Sequence, residues 1–384
     1  MNEDKGTRYR RAERGLRLLE VTAAGVVLLA MACSPLPVAI ARRVTGAAAL
    51  APAAPLPGPL QGLAAAAVIA ASLALAALAA APFANRRLGG LAARYNLPVV
   101  SARHLARERL RHGLATVAGG ALGWWVFAAL SQFTPWLGGL ATAALLLVVA
   151  GAVMLLAPWL ILLSPRVRPM SDETTTGRLH ALASRAGLRL AGLHEWVFAE
   201  QGDHANAALV GVLGPRRLLL SDTLVAGCPP DEMDVVVAHE LGHHAHGHTW
   251  TRVRAQAAVL VLAVLAAQAG AAGPARWVGR TGGITDPASV AWMLVGAGLA
   301  WLAARPWLLA QSRLHEAEAD AFALDLTGRP EVLERVLTRL GARNLASEED
   351  SLLTRAFFLT HPPIPQRIAA ARRAAQSTDP AGRP

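Results

Sequence analysis

The chain has 384 residues, of which 54% are hydrophobic and only 16% charged, and its formal net charge is +11. That is too apolar for a water-soluble surface, and alanine and leucine come in blocks rather than in amphipathic rhythm, which excludes an ordinary soluble enzyme. The arginines cluster at the ends of the apolar blocks, the positive-inside pattern of membrane proteins, rather than in the stripe a nucleic-acid binder needs, so no nucleic-acid partner is expected.

A helix that crosses a lipid bilayer needs about 20 mostly apolar residues. Six stretches qualify: 21–40, 60–81, 114–133, 137–163, 253–272 and 288–304. The first is interrupted by Pro35 and Pro37 and reads as a retained anchor. Arginines crowd the tail before it and the connecting segment 82–113, and Arg166 and Arg168 follow the fourth stretch. Positive-inside then puts both termini and every residue from 164 to 252 in the cytoplasm of a multi-pass cell-membrane protein. Cys33 and Cys228 are the only cysteines and give neither a disulfide framework nor a thiolate metal site.

The organisation expected is therefore a membrane region at 1–163 with four spans, a polar segment at 164–252, two further spans within 253–304, and a second polar segment at 305–384. Segment 164–252 opens with a helix over 174–186 and a short strand at 196–198. Strands at 207–213 and 216–221 flank Gly214-Pro215, a hairpin signal. Pro229-Pro230-Asp231-Glu232 starts a helix, with proline at the first turn and acids at its positive end, and that helix continues to His246. The fold class is thus a multi-span α-helical membrane protein with a small cytoplasmic α+β domain built from two segments.

That last helix carries His239-Glu240-Leu241-Gly242-His243. Residues four apart share one helix face, so the two imidazoles can bind one ion, while Glu240 points about 100° away, towards water held by that ion. Zinc takes nitrogen and oxygen ligands in a tetrahedral shell and, in catalytic sites, leaves one position to water whose proton a carboxylate can remove. A helix over 305–326 contains Glu316 and Asp320, again one turn apart. One can ligate Zn2+ while the other accepts a hydrogen bond from a liganding imidazole. Glu318 is a reserve ligand facing away from Asp320, and two imidazoles with a carboxylate favour zinc over other divalent ions.

His239–His243 together with Arg313-Leu314-His315-Glu316-Ala317-Glu318-Ala319-Asp320 resembles the integral-membrane gluzincin metallopeptidases, which include the CAAX prenyl endopeptidase and the HtpX-type heat-shock protease. His204-Ala205-Asn206-Ala207, Arg217 to Leu224, Tyr95-Asn96-Leu97-Pro98 and Thr360-His361-Pro362-Pro363 with Arg367 are similar to further motifs of that family, in the same order. The resemblance implies His239, His243 and Glu316 as metal ligands, Glu240 as general base and Asp320 as the residue that orients a liganding histidine. It implies Asn206 on the strand that pairs with substrate backbone, and His361 and Arg367 as catalytic groups, the first at the oxyanion and the second supporting it or meeting a substrate carboxylate. The chain departs from the CAAX branch at His244 and at Ala317-Glu318, where that branch has aromatic and aromatic-glutamine residues, and in having six spans rather than seven.

The resemblance implies a zinc metalloendopeptidase acting on a peptide or membrane-protein substrate at the cytoplasmic membrane face. An HtpX-like quality-control protease and a non-catalytic zinc-binding membrane protein, suggested by the histidine-rich run 243–248, are the alternatives.

Overall fold

The computed structural model describes residues 5–46, 58–95, 101–133, 137–197, 206–211, 216–273, 284–344 and 352–378. In chain order, α1 (Lys5–Cys33), α2 (Leu36–Thr45), α3 (Pro59–Asn85), α4 (Ala102–Phe133) and α5 (Gly138–Leu162) precede β1 (Val167–Pro169), α6 (Glu173–Arg185), β2 (Leu190–Trp196), β3 (Ala207–Val210), β4 (Arg216–Ser221) and α7 (Asp222–Gly227). Then follow α8 (Pro230–Ala245), α9 (His248–Ala272), α10 (Val290–Thr327), α11 (Pro330–Asn344), α12 (Leu352–Phe358) and α13 (Ile364–Thr378). Among the described residues six helices are long and apolar enough to cross a membrane: α1, α3 with its extension to Arg94, α4, α5, α9 and α10. The multi-span helical fold with one small sheet agrees with the class read from the sequence.

The chain forms two compact units, residues 1–147 with 257–304, and residues 148–256 with 305–384. In the first unit, two expectations need correction. The apolar stretch expected at 21–40 is divided: its first part belongs to a longer helix, α1, which runs from Lys5 to Cys33, and after Ser34-Pro35 the rest falls in α2. The arginine-rich tail is helical because its acids are paired: Glu13 with Arg10 at 3.0 Å and with Arg17 at 2.9 Å, and Glu20 with Arg87 at 2.6 Å. Likewise the connecting segment expected at 82–113 is largely helical among the described residues. Helix α3 passes through a π-helical turn at Arg86–Leu91 and a final turn at Ala92–Arg94, and α4 already begins at Ala102. The Asn96-Leu97-Pro98 part of the expected motif lies outside the described residues.

Within this unit Ala65, Val68 and Ile69 of α3 pack with Trp124 and Ala128 of α4 and with Val290 and Ala291 at the start of α10. Glycines set how closely α9 and α10 approach. A Cβ on Gly270 would stand 2.5 Å from the Trp292 carbonyl oxygen, and one on Gly296 would collide with the Ala266 carbonyl oxygen. Small residues at such crossings let backbones meet, the main source of helix association in lipid.

The second unit holds a four-stranded sheet of order β1-β2-β4-β3, with β2 and β4 parallel and the other pairs antiparallel. The strand expected at 196–198 runs instead over 190–196, because it pairs with both β1 and β4; Glu195 is buried there but bound by Arg168 Nε at 2.9 Å. Phe198 and the expected turn at Gly214-Pro215 lie outside the described residues, while β3 and β4 pair antiparallel from Ala207↔Leu220 to Val210↔Arg217. Leu218 and Leu220 of β4 pack with Leu179 and Leu182 of α6 and with Val237, Ala238 and Leu241 of α8. Val235, on another side of α8, joins Val332, Leu333 and Leu337 of α11 and Ala371 of α13. Helix α8 is thereby fixed on two sides.

Replacing Gly296 or Gly270 by leucine overpacks the α9–α10 crossing and is expected to cost about 1–3 kcal/mol, read as a lower unfolding midpoint in detergent. Gly298→Leu is the control, since a Cβ there meets nothing within 4 Å, and should leave the midpoint unchanged.

Candidate active site

Helix α8 begins at Pro230 with Asp231 and Glu232 in its first turn, where the helix dipole favours negative charge. Its buried side is spent on the two clusters above, which leaves His239 and His243 on a common face, ring centroids 4.8 Å apart and nearly perpendicular at 87°. Helix α10 brings Glu316 and Asp320 against that face. The approach is close because Gly242 has no side chain: a Cβ there would sit 3.0 Å from Phe322 Cβ and 3.1 Å from Ala319 Cα.

Glu316 Oε2 lies 3.5 Å from His239 Nε2, and Glu316 Oε1 lies 3.5 Å from His243 Nε2. One donor atom from each of the three residues falls within 4.8 Å of the others, the one such metal-capable group found among the described residues. The opposite ring nitrogen of His239, Nδ1, is 3.0 Å from Asp320 Oδ1. Asp320 is in turn held by Arg367 of α13 through a two-pronged contact, Nε to Oδ2 and Nη2 to Oδ1, each 2.6 Å. Both side chains of that pair are only 9% exposed.

The donor set fits a metal ion. Burial pulls the pKa of His239 down, yet Asp320 and Glu316 together raise it to about 9, so the pocket retains a proton where a cation would serve the same charge. Burial also pushes the Glu240 carboxyl up, against the pull of His239 and His243. Such a shift moves a carboxylate towards the range where it exchanges protons readily.

His361 stands at the turn before α13, with Nδ1 2.9 Å from Glu316 Oε2 and a side chain 59% exposed. Arg305 and Arg313, for which no role was expected, fix this segment. Arg313 Nη1 donates to the carbonyls of Arg355 at 2.6 Å and Leu359 at 2.9 Å, and Arg305 Nε donates to the Phe357 carbonyl at 2.7 Å. They satisfy carbonyls at the C-terminal end of α12, which a helix cannot satisfy itself. Their only sequence signal was position: both lie on the helix that bears Glu316.

Asn206 is exposed at the start of β3, which pairs only with β4 among the described residues. Its N–H donates to Ser221 Oγ at 2.8 Å and its carbonyl accepts from the Ser221 N–H at 2.8 Å. His204 and Ala205 lie outside the described residues. The histidine run is not a loose set of ligands. His244 Nε2 accepts from Arg216 Nε at 2.9 Å, with burial and that arginine holding its pKa down, and His246 Nδ1 lies 3.0 Å from the Gly242 carbonyl.

Residues 169–375 match Peptidase family M48. The chain belongs to that family. Among its curated relatives the CAAX prenyl protease 1 homolog of Arabidopsis thaliana is 30% identical over 238 residues, 57% of this chain and 53% of that protein. A protease HtpX homolog of Acidiphilium cryptum (strain JF-5) is 29% identical over 273 residues, 63% of this chain and 90% of that protein. The chain spans about half the length of the CAAX prenyl protease relatives it matches, 53% for the Arabidopsis protein and 48% for that of Saccharomyces cerevisiae. The crystal structure of S. mikatae Ste24p shares the fold with a TM-score of 0.76 at 20% identity, covering 96% of this chain and 88% of that one. M48 members are metallopeptidases, and the metal-capable cluster on α8 and α10 lies wholly inside the matched residues.

Removing Arg367 while Asp320 stays leaves that buried carboxylate with His239 in place of its two-pronged guanidinium partner. Arg367→Met should therefore lose about 3–5 kcal/mol of stability, measured by denaturant unfolding, and the double variant with Asp320→Leu should lose less than the single one.

Proposed function

We propose that the chain is a zinc-dependent membrane endopeptidase that cuts peptide bonds at the cytoplasmic face. The observation that carries this reading is the convergence of one donor atom each from His239, His243 and Glu316 within 4.8 Å, in a chain whose described residues include six helices apolar enough to cross a membrane. Arginines at 8–17, 86–111 and 166–168 support the cytoplasmic assignment of termini and site.

In this reading His239, His243 and Glu316 hold Zn2+, and Asp320, itself held by Arg367, fixes the orientation of His239. When bound, zinc supplies Lewis-acid chemistry: it polarises the scissile carbonyl and acidifies water towards neutrality. Glu240 takes the proton from the attacking water and delivers it to the leaving amine nitrogen, and its raised pKa suits both transfers. His361, exposed beside Glu316, donates to the developing oxyanion. Arg367 is bound on both prongs by Asp320, which supports a positioning role over direct contact with substrate. Asn206 leads into β3, whose second edge has no partner among the described residues and is the edge offered to substrate backbone.

Two substrate classes follow from the relatives. The likeness to the Arabidopsis CAAX prenyl protease 1 homolog supports prenylated CAAX peptides, whereas the likeness to the Acidiphilium HtpX homolog supports a quality-control protease acting on membrane proteins.

Purified protein should cleave a quenched farnesylated CAAX peptide or an unfolded membrane protein, with Glu240→Gln slower by at least 100-fold while still holding zinc. Chelation should abolish turnover and added zinc restore it. Equal turnover by the Glu240→Gln variant would sink the assignment of the base, and a preference between the two substrates decides between the classes.

A further inference from the structure

The ring nitrogen of His243 that faces away from Glu316 has its own partner. His243 Nδ1 lies 2.9 Å from Nδ1 of His248, the first residue of α9. On the far side of that ring, His248 Nε2 lies 2.7 Å from Glu318 Oε2. The His248 side chain is only 4% exposed, while that of Glu318 is 53% exposed. His248 is also stacked on His315, with ring centroids 4.1 Å apart and planes 13° from parallel.

These contacts dictate the protons. A His243 that offers Nε2 to a metal must carry its hydrogen on Nδ1. That hydrogen needs an acceptor, so His248 must present a bare Nδ1 and carry its own hydrogen on Nε2. The Glu318 carboxylate is an acceptor only, and it meets that hydrogen. The direction of donation therefore runs from His243 to His248 to Glu318, and each step is fixed by the next. Glu318 does not reach the metal-capable cluster; it faces His248.

We propose that His248 and Glu318 are positioning residues for the metal, locking His243 in the tautomer that ligates through Nε2. This rests on the zinc-site reading above. The two liganding imidazoles are then supported differently: His239 by a buried carboxylate–arginine pair, and His243 by an imidazole whose carboxylate partner is open to solvent. Such outer partners typically govern metal affinity by 10–100-fold.

The test is zinc affinity by competition with a calibrated chelator on the full chain in detergent, together with the absorption spectrum of the Co2+-loaded protein. His248→Phe keeps a ring to stack on His315 and removes the hydrogen bond; affinity should fall by about 10–100-fold and the cobalt bands should shift. Glu318→Leu should weaken zinc in the same direction by a smaller factor, and Glu318→Gln, which still offers an acceptor oxygen, should recover most of the loss. Because Glu318 is half exposed, its variants test the proposal even if His248→Phe does not fold. Wild-type affinity and an unshifted cobalt spectrum in folded His248→Phe, or wild-type affinity in Glu318→Leu, overturn the proposal while leaving the zinc site intact. A wild-type chain that takes up no zinc overturns both.

Discussion

A carboxylate taken out of water must be matched by positive charge or donors, or it will not stay ionised. Glu316 is 5% exposed and sits where two imidazole Nε2 atoms, His361 Nδ1 and the Arg367 guanidinium all come within 4 Å of its oxygens. This single buried charge explains why α8, α10, the turn at His361 and α13 converge. Helix α8 supplies His239 and His243, the turn supplies His361 and α13 supplies Arg367, and together they make the burial of this α10 carboxylate tolerable. The arrangement also suits a divalent ion, which concentrates in one atom the charge that several groups otherwise share.

Backbone packing sets the scale of that meeting. Helices α8 and α10 approach through Gly242 and the fully buried Ala319, so the side chains that flank this contact, Glu316 one turn before Ala319 and His239 and His243 either side of Gly242, are held at short range. Helix α8 cannot retreat, since Val237, Ala238 and Leu241 are locked into the sheet cluster and Val235 into the cluster with α11 and α13. Its rigidity is the kind a metal site requires, where a loose scaffold would lose both affinity and geometry.

Much of this was legible in the sequence because it depends on local periodicity. Histidines four apart must share a helix face, and so must Glu316 and Asp320; apolar runs of spanning length announce themselves; Pro230 with two acids announces a helix start. What escaped depends on partners distant in the chain. The strand 190–196 has no strong apolar alternation and exists through its pairing with β1 and β4. The helix before residue 21 carries many arginines, and its Glu13 and Glu20 pair with Arg10, Arg17 and the distant Arg87. Arg305 drew no notice, and Arg313, His248 and Glu318 stood in recognised runs without their actual roles being legible, because what gives them meaning is a carbonyl or imidazole on another element.

The proposed zinc site consists of the imidazoles of His239 and His243 and the carboxylate of Glu316. X-ray absorption at the zinc edge, on detergent-purified protein loaded with one equivalent, tests it most directly. A four-coordinate shell of light atoms only is expected, with two imidazole nitrogens at about 2.0–2.1 Å and carboxylate oxygen at about 2.0–2.2 Å. In Glu316→Ala that shell should be altered, and in Glu240→Gln its distances should be kept. Sulfur scattering at about 2.3 Å, or a spectrum indifferent to loss of Glu316, would contradict the account.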